Sequence, residues 1–119
     1  MNKYKLGRSF EYRVQKILRK HNFSVTRSAK SGGLADLVAV KYGHVCYVQC
    51  KYTKEKQKAY ISRQEREALI SEAKKHNIFA VLAYNFRDEG KKKSKIRFKV
   101  LYAPSGSLSF LPFEKLFFS

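Results

Sequence analysis

Residues 34–40 and 45–52 are two β-patterned runs joined only by Lys41-Tyr-Gly-His44, and nothing else in the chain restricts its fold so tightly. Runs rich in β-branched and aromatic residues around so short a glycine-containing link form a hairpin. Closed about Tyr42-Gly43, the hairpin sets Val40 opposite Val45, Val38 opposite Tyr47 and Asp36 opposite Gln49. Directly opposed residues share a face with Cβ atoms about 5 Å apart. Lys51, two positions beyond Gln49, shares that face. An acid, an amide and a lysine thus meet at one end of the hairpin, beside the Gly32-Gly33 loop. The juxtaposition depends on register, because a one-residue slip turns Gln49 to the other face.

The flanking sequence supplies the rest of a sheet and its cover. Over residues 4–21, Phe10, Val14, Ile17 and Leu18 fall on one face of a helix, and Asn22 follows as a stop. Glu11 stands at the edge of that buried stripe, where a carboxylate looks inward onto the sheet. Residues 23–27 alternate like a short strand, and residues 28–33 form a loop of turn-forming residues. Ser62-Arg-Gln-Glu65 is a capping box opening a helix that runs to about residue 77 and buries Leu69, Ile70 and Ala73. Residues 78–86 read as an inner strand, with Ile96, Phe98, Val100 and Tyr102 alternating in its neighbour. Pro104 begins a tail ending in Phe113-Glu-Lys-Leu-Phe-Phe118. The order α-β-β-β-α-β-β predicts one α/β domain over residues 1–119, with a mixed sheet flanked by helices.

Charge narrows the partners. Among 119 residues, Lys and Arg total 26 against 9 acids, a net charge of +17. Such a chain repels itself without a polyanion, so nucleic acid is the first partner expected and an anionic membrane surface the second. No stretch is long and apolar enough to span a bilayer, and the opening MNKYKLGRSF leads into no apolar run of a secretory signal. Cys46 and Cys50 show neither C-x-x-C nor zinc-site spacing, which points to reduced thiols in the cytoplasm. Phosphate contacts explain affinity but not what is done to the nucleic acid. The chemistry must come from the few acids.

Taken together, Gly7-x-x-x-Glu11, Arg27-Ser-Ala-Lys-Ser31, Asp36-Leu-Val-Ala and Val48-Gln-Cys-Lys51 form a recognisable set. Ile61-Ser-x-x-Glu65 and Ala68-Leu-Ile-Ser-x-Ala73 follow it. The set resembles the PD-(D/E)xK nuclease superfamily and, within it, the archaeal-type Holliday-junction resolvases, cellular or viral. The resemblance covers about residues 5–103 and implies a restriction-endonuclease-like core. One departure is Gln49, where most of these resolvases have Glu; a Gln-x-Lys version is typical of Mrr-like restriction endonucleases.

The resemblance implies phosphodiester hydrolysis with a hard cation, Mg²⁺ or Mn²⁺, held by oxygen ligands. Asp36 is then the central metal ligand, and Glu11 a direct or water-bridged one. The side-chain oxygen of Gln49 and the main-chain carbonyl of Cys50 complete the protein's share. Lys51 positions or deprotonates the attacking water, and Ser31 orients a substrate phosphate. Resolvases of this kind work as two-fold dimers on four-way junctions, with the apolar tail, residues 104–119, as a candidate interface. Lys3, Lys5, Arg8, Arg27, Lys30, Lys54, Lys56 and Lys58 flank the site in sequence and are expected to grip branched double-stranded DNA. No base-reading motif is present, so shape should outweigh sequence. Two alternatives stand beside this reading: an Mrr-like or generic structure-specific nuclease, and a catalytically silent junction-binding module.

Overall fold

The hairpin lies near the middle of a five-stranded sheet in the computed structural model, which describes residues 3–28, 35–52, 61–86, 95–106 and 111–118. Side chains of residues 3–7 and 86 fall outside that description. The elements in chain order are α1 (Lys3–Lys20), β1 (Ser24–Arg27), β2 (Leu37–Lys41), β3 (His44–Lys51), α2 (Arg63–His76), β4 (Phe79–Phe86), β5 (Lys95–Tyr102) and α3 (Phe113–Phe117). The sheet order is β1-β2-β3-β4-β5. All neighbours are antiparallel except β3 and β4, which run parallel because α2 crosses between them.

Local chemistry sets these boundaries. Tyr42 and Gly43 both take positive φ, 51° and 80°, as the tight hairpin turn requires. Asn22 and Asn77 sit in the left-handed region where α1 and α2 end. At the other end of α2, the Ser62 hydroxyl accepts the N–H of Glu65, so the capping box forms as its sequence predicts.

The two sheet faces are covered by different helices. Phe10, Val14 and Leu18 of α1 pack with Leu37, Ala39, Cys46, Val48, Phe79, Val81 and Phe98. Leu69 and Ala73 of α2 pack with Ala35 and Ala80, and Tyr47 closes over them. Ile70, expected to be buried, is only half so, because it lies beside the Leu69–Ala73 stripe. Ile61 rests on Leu82 and Tyr84, the β4 partners of Gln49 and Lys51, which pins the start of α2 over the end of β3.

Part of the tail packs inward. Phe113 and Phe117 are absorbed by the chain's own core, Phe113 stacked on Phe98 at 5.0 Å between ring centroids. Lys41, at the end of β2, is buried and donates to the carbonyl of Phe117. Leu116 and Phe118 are only partly buried against the same cluster, and Phe110 lies outside the described residues. Among the described residues, no helix is long and apolar enough to cross a membrane.

Candidate active site

The expected pairing of the hairpin holds from Lys41↔His44 to Leu37↔Val48, and there it stops. Asp36 does not face Gln49. Its N–H donates to the Val48 carbonyl at 2.9 Å, so Asp36 and Leu37 both stand against Val48 in the manner of a β-bulge. On its other side, the Asp36 carbonyl accepts the N–H of Ser28, prolonging the pairing with β1. The bulge re-aims the side chain, and Oδ2 accepts the N–H of Cys50 at 2.7 Å. Asp36 is thereby tied to the end of β3 through main chain rather than opposed to Gln49 through side chains.

Three charged groups act on that carboxylate. Burial pushes the Asp36 carboxyl above its ordinary range; the Cys50 N–H draws it down, the Glu11 charge raises it, Lys51 lowers it and Glu65 raises it. Glu11 reaches the site from α1. Its side chain is 14% exposed, and its Oε1 takes the Nε of Arg27 at 2.7 Å. Arg27, expected to contact DNA, is here the counter-charge of a site carboxylate, with half of its surface still open.

Lys51 comes from β3, the middle strand, so it is no edge charge. Its Nζ donates to Oε2 of Glu65 at 2.5 Å. That bond, foremost, holds the Glu65 carboxyl below its ordinary range; burial opposes it, and the Ser62 hydroxyl assists. Gln49 is 6% exposed and buried beside Leu82 on the face that α2 covers. Cys50 is half-buried, and burial, then the Asp36 and Glu11 charges, push its thiol up well above the usual range. Burial raises Cys46 to about 12. Both thiols are protonated at neutral pH, so neither is a nucleophile.

Among the described residues, no three His, Cys, Asp or Glu side chains form a metal cage. Oxygen donors are available here: the Asp36 and Glu11 carboxylates interact, and the Gln49 amide and Cys50 carbonyl belong to the adjoining end of β3. Such a set suits Mg²⁺ or Mn²⁺ rather than a thiolate- or imidazole-seeking metal. Asp36 is desolvated and faces a like charge, a cost that a cation at this point would offset. The residues fit the metal.

Residues 2–103 match the family described as archaeal Holliday junction resolvase (Hjc). The chain belongs to that family. Over 70 residues it is 44% identical to the crossover junction endodeoxyribonuclease Hjc of Methanocaldococcus jannaschii, covering 59% of this chain and 51% of the relative. The chain thus spans about half the length of the curated relative it matches. The solved structure of Archaeoglobus fulgidus Hjc, a Holliday junction resolvase, superposes with a TM-score of 0.63 at 25% identity, over 80% of this chain and 72% of that one. The mixed sheet flanked by helices is therefore the resolvase fold, as the sequence pattern predicts.

The fold brings together Glu11, Asp36 and Lys51 electrostatically, with Cys50 bonded to Asp36. Ser31, Lys30, Lys54, Lys56 and Lys58 lie outside the described residues, as do the side chains of Lys3 and Lys5. Arg8 is exposed on α1. In sequence, Glu65 reads as a capping-box residue and as part of the resembling second helix, not as a site residue; the packing of α2 over β3 shows its second partner, Lys51.

Proposed function

We propose that the chain is a metal-dependent endodeoxyribonuclease that nicks four-way DNA junctions in symmetric pairs. The observation that carries this reading is Asp36. Its carboxylate is held by the Cys50 N–H, desolvated, and coupled to Glu11, Lys51 and Glu65 on three other elements. A strand-start acid serving only structure has no reason to collect two like charges and a lysine.

Asp36 through Oδ1, Glu11, the Gln49 amide oxygen and the Cys50 carbonyl would hold Mg²⁺. When bound, the ion supplies an acidified water and neutralises charge developing on the phosphate. The chain's own residues do the rest. Cys50 N–H fixes the orientation of Asp36. Arg27 holds Glu11 in the site. Lys51 places an ammonium where the attacking water and phosphate meet, offsetting charge and orienting the nucleophile.

Two copies acting together, one site each, suit a substrate with two strands to cut; the family membership and the charge of +17 support a branched-DNA partner. The test is cleavage of an end-labelled four-way junction with Mg²⁺ or Mn²⁺, beside linear duplex and single strands. Cuts confined to the junction support a resolvase. Cleavage of every substrate favours a generic nuclease, and tight binding without cleavage a junction-binding module.

A further inference from the structure

Gln49 is neutral where a carboxylate would share its strand face with Lys51 two residues on, so β3 itself gives Lys51 no counter-charge. The carboxylate comes instead from the helix above. Oε2 of Glu65 meets Lys51 Nζ at 2.5 Å, and Oε1 of the same group accepts the Ser62 hydroxyl at 2.9 Å. Glu65 is thus fixed at both oxygens, by the cap of α2 on one side and the site lysine on the other. Ile61 on Leu82 and Tyr84 sets the height of that helix end above β3.

The pair adds little to stability. Lys51 is 27% and Glu65 37% exposed, and water screens ion pairs that are open to it. Two long side chains are nevertheless held in one geometry, and the Glu65 charge is felt at Asp36 itself.

We infer that Glu65 is a positioning residue of the cleavage reaction: from the first turn of α2 it holds the Lys51 ammonium in place, supplying the carboxylate that Gln49 does not. The inference rests on the nuclease reading. Two substitutions separate it from the capping role. Glu65→Gln removes the charge but keeps the capping box, which Gln sustains as well as Glu. Ser62→Ala removes the capping hydroxyl and leaves the Lys51–Glu65 pair.

Steady-state junction cleavage with Mg²⁺, junction binding without metal, and thermal unfolding are measured on wild type, both variants and Glu65→Asp. Glu65→Gln should lower kcat by about 10- to 100-fold, the range for losing a group that orients a site ligand. Its KM, metal-free junction affinity and Tm should stay near those of wild type. Ser62→Ala should lower Tm and cost kcat far less than Glu65→Gln does, and Glu65→Asp should regain part of the activity. Glu65→Gln cutting as fast as wild type, or Ser62→Ala losing kcat equally, overturns the inference alone. A wild type that cuts no substrate overturns the nuclease reading and this inference with it.

Discussion

Cys50 donates its main-chain N–H to Oδ2 of Asp36 across 2.7 Å, tying the acid before β2 to the end of β3. The bond holds a carboxylate in a place where burial and the Glu11 charge both disfavour its ionised form. Stability and chemistry therefore pull against each other at Asp36.

Asp36→Asn should separate them. The amide oxygen can still accept the Cys50 N–H, while the desolvated charge is gone. Cleavage should be lost, and the metal-free protein should be more stable by about 1 kcal/mol, or about 4 °C in Tm for a domain of this size. Thermal unfolding in chelator checks it. A Tm below wild type would show that the charge is compensated by contacts beyond those seen.

The acid limb of stability should carry two opposite contributions. Asp36 has a raised carboxyl, so its contribution is full below the ordinary value of 3.8 and is lost as pH climbs through the higher folded value. Glu65 has a lowered carboxyl, so its contribution is full above the ordinary value of 4.5 and fades as pH falls through the folded one. Tm measured against pH should thus fall less steeply toward acid in Glu65→Gln than in wild type, and the Asp36→Asn curve should fall more steeply. The first effect should be small, since the Lys51–Glu65 pair is open to solvent.

Gln49→Glu should strengthen metal binding and weaken the metal-free fold. A carboxylate at a position 6% exposed adds an oxygen donor of full charge, yet it buries that charge when no cation is present. The expected cost is about 1–3 kcal/mol, recovered on adding Mn²⁺. Calorimetric titration with Mn²⁺ and unfolding with and without the ion read both signs. Unchanged affinity would remove Gln49 from the ligand set.

Phe113→Ala should unfold the chain more easily by about 3–5 kcal/mol, as for other buried aromatics. The ring is fully buried among Phe23, Phe98 and Phe117 of the same chain. The loss relative to wild type, read from urea midpoints, should be the same at every protein concentration. A loss that vanishes at high concentration would return this part of the tail to an interface between copies.

The elements themselves were legible because each is announced locally: the turn at Tyr42-Gly43, the stops at Asn22 and Asn77, the cap at Ser62. The candidate site was legible in its residues and not in its contacts. Symmetric extension of the hairpin set Asp36 opposite Gln49, and a bulge against Val48 undid this, since nothing in the residues' identities signals where a ladder ends. Glu65 escaped because a capping box explains a Glu at that position without any tertiary partner. Arg27 read as a surface cation, and only the packing of α1 beside β1 brings Glu11 to it. The aromatic tail read as surplus because periodicity states that residues are apolar, not which surface receives them.

The most direct test sets wild type and Asp36→Ala against one four-way junction in Mg²⁺, with both strands end-labelled and the nick positions read on a denaturing gel. Symmetric nicks in opposing strands from wild type, none from Asp36→Ala, and equal junction binding by both proteins without metal are the predicted result. Undiminished nicking by Asp36→Ala would contradict the account at its centre.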